Sequence, residues 1–218
     1  MLFLIYTTFI TSLSVLIPIT YAFINYRNLP RAFKIILAFI IFSAIMNAIS
    51  NVQARVYHLP TLWIFHIYTP FEFAFLMAFF AEYYSKGIRY IMYGISAAFA
   101  VFCLLNTLFI QNANQMDGYA RSLDAIILIA CSMLFFANNN MDLDSKWADN
   151  SSNWIVAGIL LYYASSLGMF IFFNMVTKPG IMTSIIWCAS ATILIIEYVL
   201  FAIGFYKCKP QQTTSMSR

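Results

Sequence analysis

Apolar residues run along this chain in seven long blocks, with polar positions gathered between the blocks or set singly within them. Each block approaches the about 20 residues a helix needs to cross roughly 30 Å of hydrocarbon. The pattern predicts spans near 2–25, 35–54, 62–84, 90–110, 119–137, 153–176 and 183–206, followed by a short cytoplasmic tail over 207–218. The expected fold is all-α: a polytopic membrane protein, one seven-transmembrane-helix bundle over 1–206. The loops left between the blocks are too short to house a soluble catalytic, nucleotide-binding or DNA-binding domain.

The first block is strongly apolar, but it lacks a basic leading region and its positive charges follow it. It is therefore read as a retained helix rather than a secretory signal. Composition agrees with the membrane reading, since 62% of residues are hydrophobic and only 9% charged, against about 25% charged in soluble domains. The net charge of +4 would fit nucleic-acid binding if it were spread over one surface. Reading the loops alternately, it divides by side. Arg27, Arg31, Lys34, Lys86, Arg89, Lys146, Lys207, Lys209 and Arg218 fall on one face, and Arg55, Arg121 and Lys178 on the other. By the positive-inside rule the N-terminus is outside and the C-terminus cytoplasmic, so topology explains the basic excess and no nucleic-acid partner is expected. An integral protein of a bacterial inner membrane is the expected setting, with the lipid bilayer as its first partner.

Cys103, Cys131 and Cys188 lie in spans and Cys208 at the inner face, which implies no disulfide framework. The loop from Asn138 to Ser152 carries Asp142 and Asp144, yet lacks the glycine and closing glutamate of a calcium loop. Ser151 or Ser152 is the expected cap of the sixth helix.

The informative positions are polar residues inside the spans, because such groups are costly in hydrocarbon and usually face a bundle interior or cavity. Span three reads His66-Ile67-Tyr68-Thr69-Pro70-Phe71-Glu72. Tyr68 and Glu72, four apart, share a face, and Pro70 removes a backbone donor and bends the helix. Glu72 falls about 15 Å below the start of its span, near the midplane. In span two Ser43, Asn47, Asn51 and Arg55 recur every four residues. Asn106, Arg121, Asp124 and Asn174 lie in the outer halves of their spans, and Tyr162, Ser166 and Asn174 share a face of span six. Thr183, Ser190, Glu197 and Gly204 recur every seven residues in span seven. These residues predict an outward-facing polar pocket floored by Glu72 and Glu197, which binds a small ligand or a proton. Trp63, Tyr57 and Tyr119 are candidates for its rim. The plain alternative is that the amides only join helices, at about 0.6 kcal/mol each. Arg121 and Asp124, three apart, are expected to pair with each other.

Several chemistries find no support. The last span has no lysine for a retinal Schiff base, and only two histidines exist, His58 and His66, too few for the usual catalytic zinc set. No glycine-rich phosphate loop or nucleophile elbow occurs. No cofactor or metal is expected, and catalytic residues cannot be assigned. The span-three string, with Asn153-Trp154-Ile155 and Gly158-Ile159-Leu160-Leu161-Tyr162-Tyr163 in span six, resembles uncharacterised seven-helix integral membrane proteins of bacteria. The resemblance implies architecture and no activity.

Three functions fit this chain. The first is a sensor or receptor-like module that binds a ligand in the outer half and signals to a separate cytoplasmic or membrane partner. The second is a small proton-coupled transporter using Glu72 and Glu197, and the third a lipid-modifying intramembrane enzyme. The scarcity of polar groups in the inner halves favours binding without passage.

Overall fold

The computed structural model describes residues 6, 10–112, 115, 117–138, 147–176 and 181–208, and the side chains of residues 170–183 are not among the features described. Every regular element among these residues is helical. They are α1, Thr11–Ile24, interrupted at Val15; α2, Arg31–Arg55; α3, Leu62–Ala81; α4, Lys86–Leu105; α5, Gly118–Asn138; α6, Ser151–Val176; and α7, Ile181–Lys207. Five stretches are long and apolar enough to cross a membrane: Arg31–Arg55, Leu62–Ala81, Lys86–Ile110, Gly118–Asn138 and Ser184–Lys207. The start of the first expected span, Asp142 and Asp144, Lys178, the side chains of Asn174 and Thr183, and the tail beyond Cys208 lie outside the described residues.

The helices run past the apolar blocks into polar sequence, because backbone hydrogen bonding continues where hydrocarbon ends. α2 begins directly after Pro30, whose fixed φ suits the start of a helix, and its 25 residues span about 37 Å at 1.5 Å per residue. α3 continues unbroken through Pro70. There Thr69 Oγ1 donates to the Phe65 carbonyl at 2.9 Å. The cap of α6 is Asn150, whose Oδ1 accepts from the Ser152 amide at 3.0 Å. This corrects the expectation of a serine cap, and the Ser152 hydroxyl instead lies 2.8 Å from Tyr83 Oη, joining α6 to the end of α3.

Helix packing closes a ring in the order α1, α2, α3, α5, α6, α7 and back to α1, while α4 packs on the outside of α3. The stretch Lys86–Ile110 accordingly exposes Ile91, Val101, Leu104 and Leu108. The ring has two unlike halves. The half formed by the starts of α2 and α6 and the ends of α3, α5 and α7 is filled by Phe33, Ile36, Phe79, Phe80, Phe135, Ile155, Phe201 and Phe205, all almost fully buried. Close approach of α6 and α7 is possible there because both present glycine: a Cβ on Gly204 would stand 2.7 Å from Ile155 Cγ1, and one on Gly158 3.0 Å from Phe201. The same end carries ion pairs. Glu82 Oε1 lies 3.6 Å from Arg31 and 3.7 Å from Arg89, and Lys207 Nζ donates to the Ala148 carbonyl at 2.7 Å. The opposite half buries several polar side chains, His66, Glu72, Asn106, Arg121 and Asp124 among them, and is incompletely filled.

Candidate functional site

A cavity of about 280 Å³ occupies that second half, between the ends of α2 and α6 and the starts of α3, α5 and α7. α2 explains how it arises. Its buried residues, Ala32 to Ile40, all belong to its first half, whereas Ser43, Met46, Asn47 and Ser50, further along, line the cavity. α3 contributes Phe65 and Tyr68, α5 Arg121, α6 Tyr162, Ser166 and Met169, and α7 Trp187, Ser190, Ala191, Leu194 and Tyr198. The wall is thus a mixture of aromatic rings and neutral hydroxyls. Tyr68 Oη lies 3.1 Å from Ser43 Oγ, tying α3 to α2, and its ring stacks on Phe42. Asn51 Nδ2 donates to Asn47 Oδ1 at 2.6 Å, bracing the amide that reaches the cavity.

Arg121 is the charged residue of this wall among the described residues, and it is 6% exposed. Its guanidinium lies 4.9 Å from the Phe65 ring and 5.6 Å from the Tyr68 ring, both from α3, and Nη2 stands 3.5 Å from Glu72 Oε2. The arrangement corrects two expectations. The ion pair formed by Arg121 crosses to Glu72 on another helix, while Asp124 is buried on α5 with Oδ1 lacking a hydrogen-bond partner. Neither Glu72 nor Glu197 floors the cavity. Glu72 sits behind Arg121, and Glu197, 4% exposed, is adjacent in sequence to Tyr198, which does reach the wall. The Tyr163 hydroxyl is buried beside the Glu72 carboxyl.

A second polar cluster forms where α4 ends. Residues Asn106–Ile110 make a π turn, a form found often at functional sites, and it turns Asn106 inward to full burial. Asn106 Nδ2 donates to Asp117 Oδ1 at 2.8 Å and to Gln111 Oε1 at 3.1 Å, and Gln111 Oε1 also accepts from the Tyr119 amide. His66 joins from α3: Nδ1 is 2.8 Å from Thr107 Oγ1 and Nε2 is 3.0 Å from the Gln115 carbonyl. A carbonyl only accepts, so Nε2 carries a proton. Burial pushes the Asp117 carboxyl up, opposed by the charges of His66 and Arg121 and by the bond from Asn106.

The residues expected to form one pocket therefore divide. Asn47, Tyr68 and Tyr162 line the cavity, with Asn51 behind Asn47. Glu72 supports it through Arg121, and His66 and Asn106 belong to the second cluster. Trp63, Tyr57 and Tyr119 are exposed and do not line it. Sequence reading did not place Arg121 and Trp187 at the site. A lone arginine just inside an apolar block was the available signal, since intramembrane charge marks function by default. No protein-family model, curated protein or solved structure matches the chain.

Proposed function

We propose that this chain is a sensor or receptor-like module of a bacterial inner membrane, with seven spans, the N-terminus outside and the C-terminus in the cytoplasm. The cavity then opens toward the exterior and binds a small ligand, and the opposite face signals to a separate partner. The observation that carries this reading is the contrast between the two halves of the ring. A cavity of about 280 Å³, whose mostly apolar wall also carries Arg121 and several hydroxyls, occupies one half, and a run of fully buried phenylalanine and aliphatic side chains fills the other. A carrier needs a polar track through both halves, and these apolar residues stand across it. The basic residues Arg31, Arg89 and Lys207 gather at the filled end, which supports placing that end at the cytoplasmic face.

Two measurements test the proposal. A reporter fused to the C-terminus should be active only in the cytoplasm. Small-molecule binding to the protein in nanodiscs should raise its melting temperature, and Ala191→Phe, which fills the cavity from α7, should remove that shift. Saturable flux of the bound molecule into proteoliposomes would replace the sensor reading with the transporter.

A further inference from the structure

The cavity's wall limits the chemistry of what it holds. Resting on the reading of the cavity as a ligand site, we infer that its ligand is uncharged: an apolar body of about ten non-hydrogen atoms carrying a hydroxyl or carbonyl oxygen, which the hydroxyls of Ser50 and Ser166 meet.

Three observations lead there. The first is the charge of the wall. Arg121 is its ionic residue among the described residues, and Glu72 balances it from 3.5 Å away on α3. The pair is buried, neutral as a unit and already engaged. An ionic ligand would give up its hydration and meet no free counter-charge among the described lining residues. Burying an ion without a partner is strongly disfavoured.

The second is what the wall's serines do. A serine or threonine inside a helix can give its hydrogen to the carbonyl one turn back. Thr69, Ser132 and Ser190, on α3, α5 and α7, do so at 2.9, 2.8 and 2.9 Å. Ser50 on α2 and Ser166 on α6 both line the cavity, yet neither hydroxyl has a hydrogen-bond partner among the described residues. Ser166 is 2% exposed, so whatever completes its hydrogen bonding has to stand in the cavity. A hydroxyl both donates and accepts, which suits an alcohol or a carbonyl oxygen.

The third is size and remaining surface. The volume, about 280 Å³, is about twice that of an apolar cavity of ~150 Å³ that holds benzene. Phe65, Met169, Trp187 and Leu194 supply an apolar wall for the body of the ligand. A largely apolar lining with a few placed polar groups is the usual make-up of a site for a small organic molecule.

The test uses the full chain in nanodiscs and a panel of phenylalkyl and cyclic alcohols, ketones and lactones with about 8–12 non-hydrogen atoms. Each is matched with its carboxylate, its amine and its parent hydrocarbon. Binding at neutral pH is followed by calorimetry, with empty nanodiscs subtracted and Ala191→Phe as the filled-cavity control. Ala191→Leu, a smaller insertion, takes that place if the phenylalanine variant fails to fold. At least one alcohol, ketone or lactone should bind wild type on the order of tenfold more tightly than its carboxylate and its amine. Ser50→Ala and Ser166→Ala should each weaken that binding about two- to tenfold and leave the hydrocarbon's unchanged. Carboxylates or amines that bind as tightly as the neutral compounds, in a manner abolished by filling the cavity, overturn the inference of an uncharged ligand and leave the ligand site standing. Hydrocarbons that bind as tightly as their alcohols, with both serine variants silent, overturn the role of the oxygen. Absence of any binding sensitive to filling the cavity, across the whole panel, overturns both the inference and the ligand-site reading.

Discussion

Arg121 Nη2 stands 3.5 Å from Glu72 Oε2, joining α5 to α3 where both side chains are more than nine-tenths buried. Two charges removed from water together tolerate burial far better than either alone. Breaking one partner of a buried pair costs about 3–5 kcal/mol, while replacing both by neutral groups is often close to neutral. Arg121→Gln and Glu72→Gln should each lower the melting temperature in detergent, and the double variant should recover most of the loss. A double variant as unstable as the sum of the singles would show that the two residues act independently.

The second cluster turns on a single proton. Thr107 Oγ1 lies 2.8 Å from His66 Nδ1 and 2.9 Å from the Cys103 carbonyl, and a hydroxyl has one hydrogen to give. With a neutral ring Thr107 must donate to His66; with a charged ring it receives from His66 and donates to Cys103. Thr107→Val removes both possibilities and leaves a buried ring nitrogen bare, which should cost about 1–3 kcal/mol. Thr107→Ser keeps the hydroxyl and should cost clearly less. Equal losses from Val and Ser, read by chemical denaturation in detergent, would assign the effect to packing.

Asp117 gives the same cluster a pH dependence. Burial raises its carboxyl despite the nearby positive groups, so the folded state holds this proton more firmly than the unfolded chain does. Stability from this residue therefore rises as pH falls from neutrality toward the ordinary aspartate range near ~4, and the gain is complete below it. Asp117→Asn keeps an acceptor for Asn106 and removes the titration. Melting curves from pH 7 to pH 5 should show a smaller acid-side gain in the variant than in wild type.

Helix positions were legible in the sequence because the long helices coincide with long apolar stretches. The expected span 119–137 matches Gly118–Asn138, and 62–84 matches Leu62–Ala81 within three residues at either end. Tyr68, Tyr162 and Asn47, which line the cavity, were legible as candidates too, since each is a polar group on an apolar helix. Which helix each polar residue faces was not. The pairing of Arg121 with Glu72 over Asp124 depends on how α3 and α5 rotate against one another, and spacing along one helix carries no information on that. Asn106 was placed by depth alone, which carries no direction; it stands at the start of the π turn over Asn106–Ile110 and its amide donates to Asp117.

Gly204 sets the distance between α6 and α7 in the apolar half, where a Cβ would meet Ile155 Cγ1 at 2.7 Å and the Ser151 carbonyl at 3.1 Å. The carbonyl belongs to the first turn of α6 and cannot swing aside as a side chain would. Gly204→Ala should cost about 1–3 kcal/mol by overpacking, and Gly204→Val more. Ile155 is fully buried, so Ile155→Ala is costly by itself, but it should cost less in the Gly204→Ala background than in wild type, because there it also removes the nearer of the two contacts. An equal cost in both backgrounds would place the strain at the backbone.

Cys208 lies just beyond the last helix, 7% exposed, with Sγ 3.8 Å from the Asn28 carbonyl. Burial pushes its thiol up, and only the thiolate reacts with alkylating agents. Both effects act in one direction: fewer thiolates at a given pH, and less access to each. Iodoacetamide should therefore modify Cys208 in the folded protein at least about tenfold more slowly than in the protein unfolded in denaturant. The pH at which its rate is half-maximal should also lie above that of the unfolded chain. Rapid labelling of the folded protein at neutral pH would show that this end of α7 opens readily, and the same opening would make the thiol available for attachment of a lipid.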